Sequence, residues 1–424
     1  MAEENASVKG MNDILAPEVS KWQFVEEKAR GVLEAFAYRE LRTPILEYTP
    51  LFVRGVGETT EVVEKQMYTF DDRDGSSVSM RPEGTAPAVR VFVGNSQWNR
   101  EPVTRWYYMG AMFRHERAQR GRLRQFHQIG AEVFGLAGAS IDAELIAMLV
   151  GMLTEMGLPA AGLEVAINTL GEPEERAVYR EVVRGYFAEH RAALDEDSQR
   201  RIDTNPLRIF DSKSAETQKI AGQAPLLIDS LSEASRQRFA EVQALLGALG
   251  VQATLDPRLV RGLDYYTATI FEIKSTAGNL GAQNTLCGGG RYDRLVQSLG
   301  GPATPALGFG MGIERVLLAL AGADESYEPA LSVFVAPMDQ ESRRWALPLA
   351  HKLRMSGIRV EIEHRDTGLN KQLKRADKLK ARLALIVGEN ERKSGKLALK
   401  DLATGQQHSV DLADLTARIH QLLD

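Results

Sequence analysis

Apolar residues near the start of the chain recur at helical spacing. Trp22, Val25, Ala29, Val32, Leu33 and Phe36 share one face, and Ser20 to Gln23 has the form of a capping box that would open the helix. Pro44 and the extended, β-branched character of Arg42 to Tyr48 then predict a strand. From Met67 to Phe134 the pattern is mainly strands and turns. Arg105 to Phe113 (RWYYMGAMF) and Phe126 to Phe134 (FHQIGAEVF) read as paired antiparallel strands around a long charged loop. Ile141, Leu145, Ile146, Leu149, Met152 and Leu153 mark a helix with acids in its first turn.

From about Asn168 to Leu249 the chain reads as helical and charge-rich, without chemistry that can be isolated. A glycine-punctuated stretch runs from Arg258 to Arg315, and Ala321 to Pro329 (AGADESYEP) reads as a linker. The rhythm then changes. Val333 to Pro337, Arg359 to Ile362 and Leu383 to Val387 are candidate buried strands separated by helical segments, the pattern of a small α/β domain. The chain is therefore expected to divide near 325, into residues 1–325, with a helical insertion at about 170–250, and residues 331–424.

Composition narrows the class. With 424 residues, 44% hydrophobic and 26% charged, the chain can bury large cores and is not pervasively disordered. Met1 to Gly10 is polar, so no secretory signal is expected, and no run is long enough to cross a bilayer. A single cysteine, Cys287, excludes an intrachain disulfide framework and a thiolate-cluster metal site; it reads as packing, and a reducing cytoplasm is expected. The net charge of −5 argues mildly against a polyanionic partner. Yet Lys371, Lys374, Arg375, Lys378, Lys380 and Arg382 fall within twelve residues whose only acid is Asp377, a local excess of +5. A helix there is either a solvated face or a polyanion contact.

Common motifs fail. His115-Glu116 opens like a zinc-protease helix, but Gln119 stands where the second histidine belongs. Gly388 to Lys396 has the wrong spacing for a phosphate loop, and Gly308, Gly310 and Gly312 do not form a dinucleotide fingerprint.

Two other constellations carry chemistry. Phe113-Arg114-His115-Glu116 ends a strand, the loop beyond holds Arg117, Arg120, Arg122 and Arg124, and the second strand returns through Gln128 and Glu132. Alternation puts Phe126, Gln128, Gly130 and Glu132 on one face, and Gly110, Met112 and Arg114 on one face of the partner. A buried Gln and Glu beside an Arg need either a polar ligand or mutual pairing, a Glu132–Arg114 ion pair being the simplest. The second constellation is Leu307-Gly308-Phe309-Gly310-Met311-Gly312-Ile313-Glu314-Arg315. Glycine at every second place bares one strand face, so that a flat ring can lie on backbone or the strand can pack closely on its own helix. Arg315, at the start of that helix, suits a phosphate.

Phe113-Arg114-x-Glu116 and Gly308-x-Gly310-x-Gly312-x-Glu314-Arg315 resemble motifs two and three of the class II aminoacyl-tRNA synthetases. Pro44 after a helix resembles motif one, which builds the dimer interface. Arg81-Pro82-Glu83-Gly84-Thr85 and Arg261-Gly262-Leu263-Asp264-Tyr265-Tyr266-Thr267 narrow the resemblance to the histidyl-tRNA synthetase family. Ala118 stands where many relatives carry proline. The resemblance implies an α+β core, an antiparallel sheet flanked by helices, with a helical insertion and a C-terminal α/β anticodon-binding domain. It also implies a homodimer.

Its implied reaction is activation of L-histidine with ATP, giving histidyl-adenylate and pyrophosphate, then transfer of histidine to the 3′ end of histidine tRNA with release of AMP. By resemblance Arg114 contacts the α-phosphate and the histidine carboxylate, and Arg261 is the catalytic arginine on the opposite side of that phosphate. Glu116 would take the adenine amino group, while Arg315, helped by Arg122, would hold the γ-phosphate. Mg2+ is expected on the outer phosphates, with few protein ligands. Glu83, Thr85 and Gln128 should take the ammonium group, with Gly84 leaving room for the substrate. Glu132 and Tyr265 should bind the two imidazole nitrogens, supported by Tyr266; in an extended segment the two tyrosines would point to opposite faces. Gly288-Gly289-Gly290 would bring backbone close to the ligand, or form a tight turn. The basic run, with Lys371, Lys374, Arg375 and Lys378, would meet the tRNA. Two rival readings are a non-catalytic regulatory relative that partners ATP phosphoribosyltransferase, and a prolyl or threonyl enzyme. The arginine set and the segment 331–424 weigh against the first, and Arg261 to Thr267 against the second.

Overall fold

Alternation along each strand separates an oily face from a chemical one, and the whole of the first unit follows from that. The computed structural model describes residues 6–58, 60–276, 284–320, 327–328 and 330–423. The expected linker at Ala321 to Pro329 falls largely outside them, as do Met1 to Asn5. The chain forms two compact units, Met1–Glu325 and Ser326–Asp424.

The strands of the first unit are β1 (Arg39–Glu40), β2 (Leu46–Tyr48), β3 (Thr69–Asp71), β4 (Ser77–Met80), β5 (Thr104–Phe113), β6 (Gln125–Phe134), β7 (Leu163–Thr169), β8 (Ala253–Leu255), β9 (Thr267–Ser275), β10 (Thr285–Arg291) and β11 (Ala306–Gly312). Eight make one sheet in the order β1-β5-β6-β11-β10-β9-β7-β8, and β2-β4-β3 make a smaller one. Within the large sheet the inner strands from β5 to β7 pair antiparallel, while β1 and β8 join the edges in parallel.

One face is apolar. Tyr107, Ile129, Ala131, Val133, Phe271, Ile273, Leu307, Phe309 and Met311 pack with side chains from the helices Glu18–Ala35, Ala139–Glu155, Glu233–Ala248 and Ile313–Ala319. Each fully buried Val, Leu, Ile, Phe or Met side chain among them contributes roughly 1.5–3 kcal/mol. The other face carries Tyr108, Gly110, Gln128, Gly130, Glu132, Gly308, Gly310 and Gly312, in register across β5, β6 and β11. A slip of one residue would push Glu132 and Gln128 into the oily layer, so the register is strongly fixed.

Between β7 and β8 lie the helices Pro173–Glu189, Glu196–Thr204, Ala215–Ala221 and Glu233–Ala248. Their starts are well capped, by Glu172 with Glu175, by Asp195, by Ser214 and by Ser232. Tyr179, Val183, Phe187, Ile202, Leu207 and Ile209 give this segment its own apolar cluster. The last helix instead packs under the large sheet through Phe239, Val242 and Leu246.

The second unit is a five-stranded sheet in the order β13-β12-β14-β15-β16, where β12 is Val333–Pro337, β13 Val360–Ile362, β14 Leu383–Val387, β15 Lys396–Asp401 and β16 Gln407–Asp411. The first three are parallel and the last two add an antiparallel edge.

Several local expectations change. The first helix begins at Glu18 after Pro17, with no side-chain cap, so Ser20 lies inside its first turn rather than before it. Only Leu46–Tyr48 of the segment from Arg42 is strand. Pro44 has no N–H to give a ladder, and the carbonyls of Thr43 and Pro44 accept from Arg81 instead, at 2.8 and 3.4 Å. The basic helix spans Leu369–Lys378, not the full run to Arg382: Lys380 adopts φ +51° as the chain turns into buried β14.

Candidate active site

Glycines on the chemical face of the sheet make room for side chains from neighbouring strands. A Cβ at Gly308 would lie 1.7 Å from the Glu132 carboxylate, and one at Gly310 would lie 2.1 Å from the Gln128 amide. A Cβ at Gly130 or Gly84 would strike the Tyr108 ring at 2.3 or 2.1 Å. Gly84 thus makes room for Tyr108, where sequence reasoning had it leave space for the substrate. The Gly288–Gly290 run is strand, not a turn, and at Gly288 a Cβ would sit 2.5 Å from the Arg261 guanidinium. The glycine pattern therefore lets polar side chains lie flat on the sheet.

Around them is a cavity of about 490 Å³. Its wall brings together ten of the twelve residues expected to meet histidine or ATP: Glu83, Thr85, Arg114, Glu116, Arg122, Gln128, Arg261, Tyr265, Tyr266 and Arg315. Gly84 and Glu132 are not in that wall. Tyr265 and Tyr266 do not point to opposite faces, because residues 261–266 form a turn rather than a strand; the rings lie 4.7 Å apart and both reach the cavity.

Glu132 is fully buried. Thr85 Oγ1 donates to it at 2.8 Å, Tyr108 OH at 3.0 Å, and Tyr292 OH donates to its other oxygen. Burial pushes its carboxyl up to about 8 against the opposing pull of these hydroxyls. No Glu132–Arg114 bridge forms: Arg114 Nε donates to the Pro82 carbonyl at 2.8 Å, and its guanidinium lies over the Phe126 ring. Burial lowers the Arg114 pKa, while Glu116 and Glu83 counter it.

Glu83 caps the helix Thr85–Gly94, accepting from the backbone N–H of Thr85 at 2.7 Å and of Ala86 at 2.8 Å. Its burial raises its pKa even so. Gln128 Oε1 is buried with no hydrogen-bond partner. Such an orphan acceptor costs free energy unless a donor arrives. Arg261 pairs with Glu272 and lies beside the Tyr266 ring. Burial acts to lower its pKa, but Tyr266 and Glu272 outweigh it and hold the guanidinium charged. Arg122 pairs with Glu116 at 2.7 Å. Arg315 donates to the Thr285 and Gly121 carbonyls, and burial, with Arg122 and Arg114 nearby, lowers its pKa. Cys287 is buried, its thiol pushed up to about 12 by desolvation.

Sequence reasoning missed Tyr108, Tyr292 and Glu272. Glu314 was named in the glycine motif but given no role; its carboxylate accepts from the His127 backbone N–H at 2.9 Å and so ties the glycine strand's helix to β6. Gly10, dismissed as part of a polar tail, accepts from the N–H groups of Arg124 and Gln125 at 2.9 and 3.1 Å and pins the end of the arginine loop.

In the second unit Lys371, Lys374 and Lys378 are exposed on one face of the helix Leu369–Lys378, away from buried Gln372 and Ala376. Arg375 differs. Its guanidinium pairs with Glu361 at 2.8 Å and Glu363 at 3.2 Å, and Arg382 pairs with Asp401. Two of the six cations in the run are thus engaged within the unit.

Residues 10–316 match the family model for histidyl-tRNA synthetase, and residues 332–422 match that for an anticodon binding domain. A histidine–tRNA ligase of Caldanaerobacter subterraneus subsp. tengcongensis is 43% identical over 97% of this chain and 98% of its own length. One from Sorangium cellulosum is 47% identical over 96% of this chain and 94% of its own. The ligand-free crystal structure of Staphylococcus aureus histidyl-tRNA synthetase superposes with a TM-score of 0.83 at 34% identity, covering 98% of this chain and 99% of that one. Sheet, glycine face, arginine set and full-length identity agree, and the chain belongs to the histidyl-tRNA synthetase family.

Proposed function

We propose that the cavity is the adenylation centre of an ATP-dependent histidine–tRNA ligase. The observation that carries this is the orphan acceptor Gln128 Oε1 in the same cavity as the guanidinium groups of Arg114, Arg122, Arg261 and Arg315. Such a cavity suits a ligand bearing a cationic amine and several anionic oxygens. An α-amino acid and ATP supply both.

In this reading Glu83, Thr85 and Gln128 accept from the histidine ammonium group. The Thr85 hydroxyl hydrogen is already given to Glu132, which leaves its oxygen to accept. Tyr265 and Tyr266 line the imidazole end, with Glu132 behind Thr85 as the anchored carboxyl. Arg114 and Arg261 flank the α-phosphate, Glu116 takes the adenine amino group, and Arg315 with Arg122 holds the γ-phosphate. A carboxylate oxygen of histidine attacks the α-phosphorus, the bond to the bridging oxygen breaks, and pyrophosphate leaves. The protein needs no nucleophile, only alignment and cations where charge builds. Among the described residues no group of three His, Cys, Asp or Glu side chains could hold a metal. Mg2+ is expected on the outer phosphates of ATP, with few protein ligands, where it would supply positive charge to the departing pyrophosphate.

In the second step a ribose hydroxyl at the tRNA 3′ end attacks the adenylate carbonyl and AMP departs. We assign the anticodon arm to the second unit and its lysine-bearing helix. The arginine set and this unit weigh against a non-catalytic regulatory role. A homodimer is proposed from the apolar surface on the small sheet, where Leu46, Tyr48 and Phe70 are exposed. No helix among the described residues is long and apolar enough to cross a membrane, and we assign the protein to the cytoplasm.

Pyrophosphate exchange dependent on histidine, but not on proline or threonine, is the expected result. Arg261→Ala should lower the single-turnover adenylation rate by on the order of 10²-fold or more while leaving histidine binding largely intact. Exchange with proline or threonine, or near-normal adenylation by the variant, would refute the assignment.

A further inference from the structure

The turn at residues 261–266 is a thin partition. On one side is the candidate active site; on the other is a second cavity of about 860 Å³, and Tyr265 and Tyr266 line both. Tyr266 is buried in the apolar cluster of the helical segment, with Leu263 and Tyr265 packed against it, and directed bonds fix the polar part of the turn between the two cavities.

Those bonds come largely from the helical segment between β7 and β8. Arg176 Nη1, on the helix Pro173–Glu189, donates to the Tyr266 carbonyl at 2.9 Å. Arg208, in the short turn of helix after Glu196–Thr204, pairs with Asp264 at 3.1 Å. Both members of that pair are shielded, their side chains 16% and 27% exposed, so water and salt weaken it less than an open surface pair. From the opposite side the Asp264 N–H donates to the Val56 carbonyl at 3.2 Å. Gly57 there has φ +107°, and a Cβ on it would lie 2.8 Å from Asp264 Oδ2. Asp264 is thus wedged between the two walls, three residues from Arg261 and next to Tyr265.

We infer that Arg176 and Arg208 are positioning residues for adenylation: they brace the Arg261–Tyr266 turn and set where the Arg261 guanidinium and the two tyrosine rings stand. Neither touches the substrate. The inference rests on the assignment of Arg261 to the α-phosphate, and it gives the helical segment a part in the first chemical step.

The test uses the full-length enzyme in single-turnover adenylation and in exchange kinetics, with Arg208→Gln, Asp264→Asn and Arg176→Gln, each also combined with Arg261→Ala. A displacement of about an ångström in a catalytic group can cost on the order of 10²-fold. Each single variant should therefore lower kcat by roughly 10- to 100-fold, with the KM for ATP changed by less than about threefold and the melting temperature close to the parent's. In the Arg261→Ala background the same changes should cost much less, because the guanidinium they position is gone and only the displacement of the tyrosine rings remains. Arg208→Lys, which keeps a cation near Asp264, should recover part of the loss. Normal kcat in Arg208→Gln and Asp264→Asn, or a loss that multiplies undiminished with Arg261→Ala, overturns the positioning role while leaving the Arg261 assignment intact. Normal adenylation by Arg261→Ala alone overturns that assignment instead. Should Arg208→Gln fail to fold, the near-isosteric Asp264→Asn decides.

Discussion

At Glu132 burial and hydrogen bonding pull in opposite directions, and burial wins. Its carboxyl titrates near 8 in the folded, ligand-free protein, against about 4.3 in an unfolded chain. Between those values the unfolded chain has released the proton and the folded one still holds it. Rising pH therefore favours unfolding: stability attached to this group is complete below about pH 4.3 and lost as pH climbs through 8, by at most ~1.4 kcal/mol per pH unit. Glu83, raised by its own burial, acts in the same direction. Glu132→Gln removes the titration while nearly keeping the shape. Its urea-unfolding free energy should fall less than the wild type's between about pH 5 and 8. Equal slopes in the two proteins would mean that Glu132 is already ionised in the folded state. The sequence marked Glu132 as costly to bury, but not which groups would satisfy it. Tyr108 and Tyr292 come from strand β5 and from just beyond β10, and only the tertiary fold brings them to one carboxyl.

Glycine spacing in β11 belongs to the scale of elements, and two of its positions differ in what a methyl group would meet. At Gly308 the nearest atoms are the buried Glu132 carboxylate at 1.7 Å and the Ala131 backbone oxygen at 2.5 Å. At Gly310 they belong to the far end of Gln128, whose long side chain can swing aside. Gly308→Ala should then destabilise by about 1–3 kcal/mol or more, as overpacking does. Gly310→Ala should melt closer to wild type but bind histidine more weakly, because Gln128 is displaced. Thermal melts with histidine titration calorimetry distinguish these outcomes; equal melting losses would show that the Gln128 side chain cannot yield. Strands such as β5, β6 and β11 were legible because period-two alternation is local information. The turn at 261–266 was not, since its shape depends on Arg208, Arg176 and Val56 from distant parts of the chain. The purpose of the glycines was half legible: bare strand faces are visible in sequence, whereas the side chains that cover them depend on which strands become neighbours. The early end of the basic helix is of the same kind, forced by entry into buried β14.

Over the whole molecule, charge is distributed against its average. The chain carries −5, yet its second unit presents Lys371, Lys374 and Lys378 together on one exposed helix face. Arg375 is a poor probe of that face, because its guanidinium is tied to Glu361 and to Glu363, a nearly buried carboxylate held down to about 2 chiefly by Arg365 with help from Arg375, so removing it would also disturb this ion-pair network. The three lysines touch no such network. Replacing all three by Gln in the full-length protein should therefore leave folding and histidine-dependent pyrophosphate exchange unchanged, since every residue assigned to histidine or ATP lies between Glu83 and Arg315. Binding of tRNA should weaken. Each phosphate contact contributes about 0.7 to 0.9 to the slope of log affinity against log salt, so three lost contacts should flatten that slope by roughly 2 to 3. Aminoacylation should fall most at low salt, where the lysines attract most strongly, and converge on the wild type as salt is raised. Filter binding across a salt series checks the slope directly. If the triple variant charges tRNA normally and keeps the wild-type slope, this helix face meets only water, and the affinity for the anticodon arm must come from elsewhere on the chain.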